Sequence, residues 1–185
     1  MDEQKIQLRK IRDFSDVLSD TFQFLRQEWK PLGKAFLLIA GIFLLAISIL
    51  NGFYQTNIFS SFQQIETGNT ANPFSAFDRV FTPTYFLLIL VGVLAIVSMN
   101  VVVASYFKLY EAGIVSPSVV QVWDVFKKYF LKCFFYYIPL ILLLLIGFVL
   151  CFVPGIYLWV VLTPFSFVVV TEDLSFSDAF NRCFQ

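Results

Sequence analysis

The sequence predicts an all-α polytopic integral membrane protein: about four transmembrane helices in two hairpins, with amphipathic interfacial helices before and between them. Three observations carry this. Hydrophobic residues make up 58% of the 185 and charged residues 14%, well under the roughly 25% of a soluble domain. Residues 133–171, Cys133 to Thr171, run 39 long without a charged side chain; at 1.5 Å per residue that is about twice the helix needed to cross a ~30 Å hydrocarbon core. Lys and Arg are also sorted along the chain, with rich and poor segments alternating.

Residues 1–34 are polar and hold seven of the 13 basic residues, Lys5, Arg9, Lys10, Arg12, Arg26, Lys30 and Lys34. The first apolar run begins only at Ala35, too late for a cleavable signal peptide. Within this segment Ile11, Phe14, Leu18, Phe22, Leu25, Trp29 and Leu32 recur at spacings of three and four, which predicts an amphipathic helix with one apolar stripe. The first transmembrane hairpin covers 35–107, with spans at 35–53 and 84–107 and an outer loop at 54–83. That loop is rich in Asn, Gln, Ser and Thr, holds short apolar pieces at Phe74, Phe77 and Val80, and carries one basic residue, Arg79.

Segment 108–132 is basic again, through Lys108, Lys127, Lys128 and Lys132. Ser116-Pro117 predicts a helix start, with Ser as N-cap and Pro at the first helical position. Val119, Trp123, Phe126 and Phe130 form its apolar stripe, and Asp124 and Lys128 are spaced four apart for pairing. The second hairpin covers 133–171 and is expected to fold at Pro154-Gly155. Its second arm, 156–171, is short, and Pro164 interrupts its backbone ladder: either a full span or a kinked, re-entrant helix covered by protein. A third amphipathic helix is expected to start near Ser175 within 172–185.

The basic segments set an orientation with the N-terminus, the central segment and the C-terminus in the cytoplasm. Phe14-Ser15-Asp16 and Phe176-Ser177-Asp178 head the first and third surface helices, each with a Phe eight positions on. The order surface helix, span, turn, span, surface helix is an internal repeat. Its rhythm calls for another hairpin after Gln185, supplied by a longer chain or by a partner.

The pattern resembles the membrane domain of the glycerophosphodiester phosphodiesterase group and related six-span bacterial membrane proteins. The resemblance rests on Phe152-Val153-Pro154-Gly155-Ile156, Trp159, Pro164, Thr171-Glu172-Asp173 and Ser177-Asp178-Ala179-Phe180. In that group a Pro-Gly-Ile turn leads into a span, an acidic bend and a new surface helix. The resemblance implies a bacterial inner-membrane location. These motifs are structural. The catalysis of some relatives belongs to a separate soluble domain, so the resemblance implies no activity here.

The composition narrows the chemistry. Formal net charge is zero and there is no histidine, which removes a bulk field for nucleic acid, the commonest general base and the commonest metal ligand. Cys133, Cys151 and Cys183 form no CxxC pair. No nucleotide-binding or hydrolase motif is present, and no catalytic residue, cofactor or metal site is expected. Lys127, Lys128 and Lys132 are candidate contacts for anionic lipid headgroups. Ser98 and Asn100 are candidate polar groups inside the second span, where Asn100 is expected to bond a neighbouring helix or a substrate, with Ser166 as a further cavity-lining candidate. The expected function is a non-catalytic structural, accessory or lipid-organising module whose partners are membrane lipids and another membrane protein or hairpin. The alternative is a transporter or channel component for lipids or small apolar solutes.

Overall fold

The computed structural model describes residues 14–66, 81–150 and 152–185. Among the described residues six helices follow in order: α1 Phe14–Glu66, α2 Pro83–Glu111, α3 Val119–Leu150, α4 Phe152–Leu162, α5 Phe165–Glu172 and α6 Phe176–Cys183. Four stretches of the described residues are long and apolar enough to cross a membrane: Leu18–Ser60, Pro83–Glu111, Val119–Leu150 and, with α4 and α5 taken together, Phe152–Glu172. The protein is an all-α polytopic membrane protein, as its composition predicts.

The expected surface helix and first span form one continuous helix. At 53 residues, α1 is about 80 Å long and exceeds the ~30 Å hydrocarbon core. Pro31 lies inside it and removes one ladder bond, but the flanking residues continue the helix. The helix also extends through 54–66, the first part of the expected outer loop. There the polar side chains turn back on their own helix: Gln55 Nε2 donates to Asn51 Oδ1 at 3.1 Å, and Ser60 Oγ to the Asn57 carbonyl at 2.8 Å. The rest of that loop, with Phe74, Phe77, Arg79 and Val80, lies outside the described residues, as does Ile11 of the first stripe.

Antiparallel packing of α1 on α2 is marked at one end by the Tyr54 and Tyr85 rings, 5.8 Å apart, and at the other by Phe24 against Phe107 and Tyr110 at 4.9 and 5.1 Å. The buried face of α1 runs through Phe24, Glu28, Ala35, Ile39 and Ala40. Of the stripe read from the sequence, Leu18, Phe22, Leu25 and Trp29 face outward, Phe22 70% and Trp29 65% exposed, while Leu32 packs on the core. Hydrophobic periodicity locates an apolar face but does not say whether protein or lipid covers it.

Gly113 closes α2 with φ 101°, a left-handed conformation that glycine adopts without steric cost. The next helix starts two residues later than Ser116 predicts. Ser118 is its cap: Ser118 N donates to Gln121 Oε1 at 2.9 Å and Gln121 N to Ser118 Oγ at 3.4 Å, a reciprocal capping box. Ser116 has φ 51° and its hydroxyl is turned to α1. Here too the surface helix and the span form one helix, α3.

The second hairpin folds before Pro154-Gly155, not at it. Both residues lie in the first turn of α4, where proline's missing N–H costs no ladder bond. Gly155 is there for proximity. A Cβ on it would sit 2.8 Å from Phe148 Cγ and 3.0 Å from Phe148 Cα. Opposite it, a Cβ on Gly147 would lie 3.4 Å from Gly155 Cα. Small residues let the two backbones touch.

Pro164 does break the fourth apolar stretch. Thr163 N donates to the Val160 carbonyl at 3.3 Å, meeting the acceptor that Pro164 cannot reach. Beyond the break α5 packs mainly on α2 and buries Phe165, Ser166, Val169 and Val170. Asp173 caps it at φ 53°. The third surface helix, α6, begins where the sequence predicts: Ser175 Oγ accepts from Asp178 N. Its Phe176, Phe180 and Cys183 pack on the bundle core.

Gly155→Ala is expected to destabilise the α3–α4 hairpin by about 1–3 kcal/mol, the usual cost of overpacking. Thermal unfolding in detergent measures this, and an unchanged midpoint would show that the hairpin tolerates a wider separation.

Candidate functional site

Two features combine polar chemistry with an accessible position. The first is a cavity of about 270 Å³ between α2, α3 and α4. Val93, Ile96 and Asn100 supply one wall, Tyr137, Leu140 and Leu144 another, and Trp159 closes it from α4. The sequence candidates fall differently here. Ser98 is fully buried and donates to the Ala95 carbonyl at 2.8 Å, so it satisfies its own helix and does not line the cavity. Asn100 does line it. Its Nδ2 donates to the Ile96 carbonyl at 2.9 Å and approaches the Tyr137 hydroxyl at 3.5 Å. Ser166 Oγ donates to the same hydroxyl at 2.9 Å. Asn100 on α2 and Ser166 on α5 thus meet through Tyr137 on α3. Tyr137 was hidden in the sequence as one aromatic of an apolar run.

The second feature is a cationic cluster at the end of the spans. Lys108 Nζ donates to the Tyr129 hydroxyl and to the Val170 carbonyl, both at 2.7 Å. Lys108, Lys128 and Lys132 lie 4.5, 5.0 and 5.9 Å from the centroid of the Tyr129 ring, within cation–π range. Among the described residues one carboxylate faces them: Asp173 pairs with Lys128 at 3.7 Å and with Lys132 at 3.3 Å. Three lysines against one aspartate leave an excess of two positive charges. Lys127 stands apart, paired with Asp124 at 3.1 Å. That pair takes the aspartate the spacing assigned to Lys128, because three-residue and four-residue separations both bring side chains together on a helix. Arg182 pairs with Glu172 at 3.6 Å, not with Asp178, whose carboxylate accepts from Ser175 Oγ at 2.6 Å.

A third cluster is structural. Glu28 is 2% exposed. Its carboxylate accepts from the Tyr106 hydroxyl and from Ser116 Oγ, the latter at 3.0 and 3.2 Å to its two oxygens. This ties the α2–α3 loop to α1. Among the described residues no group of three His, Cys, Asp or Glu is placed to hold a metal ion. Cys133 is a buried free thiol.

Electrostatics around Asp173 follow from its neighbours. Burial pushes its carboxyl up, but hydrogen bonds from Lys132 and Tyr129 and the charges of Lys132 and Lys128 outweigh that and hold it below its ordinary 3.8.

Comparison of the chain with protein-family models, with curated proteins and with solved structures finds no match in any of the three.

Two expectations follow from these clusters. Tyr106→Phe leaves the buried Glu28 carboxylate short of a donor and should cost about 1–3 kcal/mol of stability; chemical denaturation of the detergent-solubilised protein measures it. Because the Asp173 carboxyl is depressed in the folded state, its stabilising contribution is complete above about pH 5 and is lost as pH falls through the folded value. Asp173→Asn, which tolerates the left-handed backbone, should therefore flatten the acid side of a stability–pH profile. An identical acid limb in the variant would exclude the pairing.

Proposed function

We propose that the protein is a non-catalytic membrane module that organises anionic lipid at one face of the bilayer. The observation that carries this is the excess positive charge gathered on Tyr129 by Lys108, Lys128 and Lys132 against Asp173 alone. Near an anionic surface each Lys or Arg contributes roughly 1 kcal/mol. Lysine also suits the task as a compact charge on a flexible stem that snorkels from the apolar region to the headgroups. The outward stripe of Leu18, Phe22, Leu25 and Trp29 on α1 adds an apolar surface of the kind that lies among acyl chains.

The distribution of Lys and Arg supports a bacterial inner membrane orientation with this cluster and the N-terminus on the cytoplasmic side. A second reading, passage of lipids or small apolar solutes, draws on the cavity beside Asn100. Between that cavity and the lysines, buried Val101, Ala104, Cys133, Phe165 and Val169 fill the bundle, which favours a resting place over a conduit.

The test is lipid retention in nanodiscs of equal phosphatidylglycerol and phosphatidylcholine, read by native mass spectrometry. The parent protein should retain phosphatidylglycerol preferentially. Changing Lys127, Lys128 and Lys132 together to Gln should lower that preference about fivefold or more, with helicity unchanged. An equal preference in the variant would remove the basis of the proposal.

A further inference from the structure

Asn100, an exposed residue at the cavity's edge, presents a polar atom without a donor at a depth where water is scarce. Asn100 lies eight residues from Lys108 on α2, about 12 Å along the helix axis and so inside the hydrocarbon region. Its Nδ2 is engaged by the Ile96 carbonyl and the Tyr137 hydroxyl. That carbonyl also fixes the amide orientation, since a flipped amide would set two oxygens against each other. Among the described residues no donor reaches Oδ1 of Asn100. An amide oxygen without a donor is costly in an apolar setting.

The neighbouring hydroxyl complements it. Tyr137 accepts from Ser166, so its own proton remains for an incoming oxygen. Acceptor and donor thus stand side by side where the α2 and α3 walls meet. The other lining residues are apolar or aromatic except Thr163, whose hydroxyl donates to the Trp159 carbonyl at 2.9 Å, and none is ionised. Exposed Ile96, Trp159 and Thr163 form a mouth on the side of the bundle. At about 270 Å³ the cavity is at the small end of ligand sites, room for the head and upper part of a chain whose remainder lies in the bilayer.

We propose that this cavity binds an uncharged aliphatic molecule ending in a hydroxyl. The ligand O–H donates to Asn100 Oδ1, its oxygen accepts from Tyr137, and its chain leaves past Trp159. The absence of a lining charge selects against fatty acids and phospholipid headgroups.

Trp159 is a built-in reporter. In nanodiscs, a Trp29→Phe, Trp123→Phe background leaves it as the sole tryptophan. The probes are a terminally brominated dodecanol and its methyl ether, which keeps the chain but cannot donate. Quenching by the alcohol should saturate, at a membrane mole fraction about fivefold below that needed for the ether. Asn100→Leu should abolish the difference. Val93→Phe, which fills the cavity and leaves Asn100, Tyr137 and Ser166 in place, should abolish saturable quenching and decides the matter if Asn100→Leu fails to fold. Equal quenching by alcohol and ether in the parent, linear quenching by both, or a preference that survives Asn100→Leu overturns the proposal.

Discussion

The arrangement depends on one side chain, Lys108. Its ammonium bonds the Tyr129 hydroxyl on α3 and the Val170 carbonyl on α5 and lies against the face of the Tyr129 ring. An ammonium at the edge of the hydrocarbon region needs such partners, and a helix C-terminus needs donors for its carbonyls. Each requirement meets the other. Only eight residues long, α5 cannot cross a bilayer alone. Seated by Lys108, it fills the space between α2 and α3, carries Ser166 to Tyr137, and delivers Asp173 to Lys128 and Lys132. The polar wall of the cavity and the lysine cluster are thus two ends of one docking event.

Small residues and buried hydroxyls do the rest of the packing. Lipid tails give apolar side chains little reason to leave them for another helix, so close backbone approach and internal hydrogen bonds matter more than apolar area. Gly147 and Gly155 supply the approach at the α3–α4 hairpin. Glu28, Tyr106 and Ser116 supply the bonds where α1 meets the α2–α3 loop. The large outward residues, Leu37, Ile42, Leu45 and Val149 among them, form the surface that a hydrocarbon solvent requires.

Local signals were legible in the chain; partners far apart in it were not. Charge-free length located the spans, Ser175 located α6, and the rarity of polar groups in a span pointed to Asn100. Periodicity found the α1 stripe but not its direction, because lipid and protein cores select the same residues. Pro154-Gly155 reads as a turn, yet glycine serves close packing as readily as turning, and proline suits a first helical turn. Ser116 and Ser118 compete for one cap, and Gln121 three residues after Ser118 decides it. Lys108 and Val170 are 62 residues apart and Glu28 and Ser116 are 88; no local pattern joins such pairs. Ser98 had the right chemistry for the cavity and the wrong face of α2.

Outside the Glu28 cluster, the accessible polar chemistry of this bundle gathers at the end of the spans and in a recess of about 270 Å³. Both fit a protein whose partners are bilayer components. The most direct test of that claim is native mass spectrometry of the protein gently extracted from the membrane in which it is made. An anionic phospholipid retained at fixed stoichiometry is the predicted result. Protein released without lipid, or carrying neutral and anionic lipids in the proportions of the membrane itself, would contradict it.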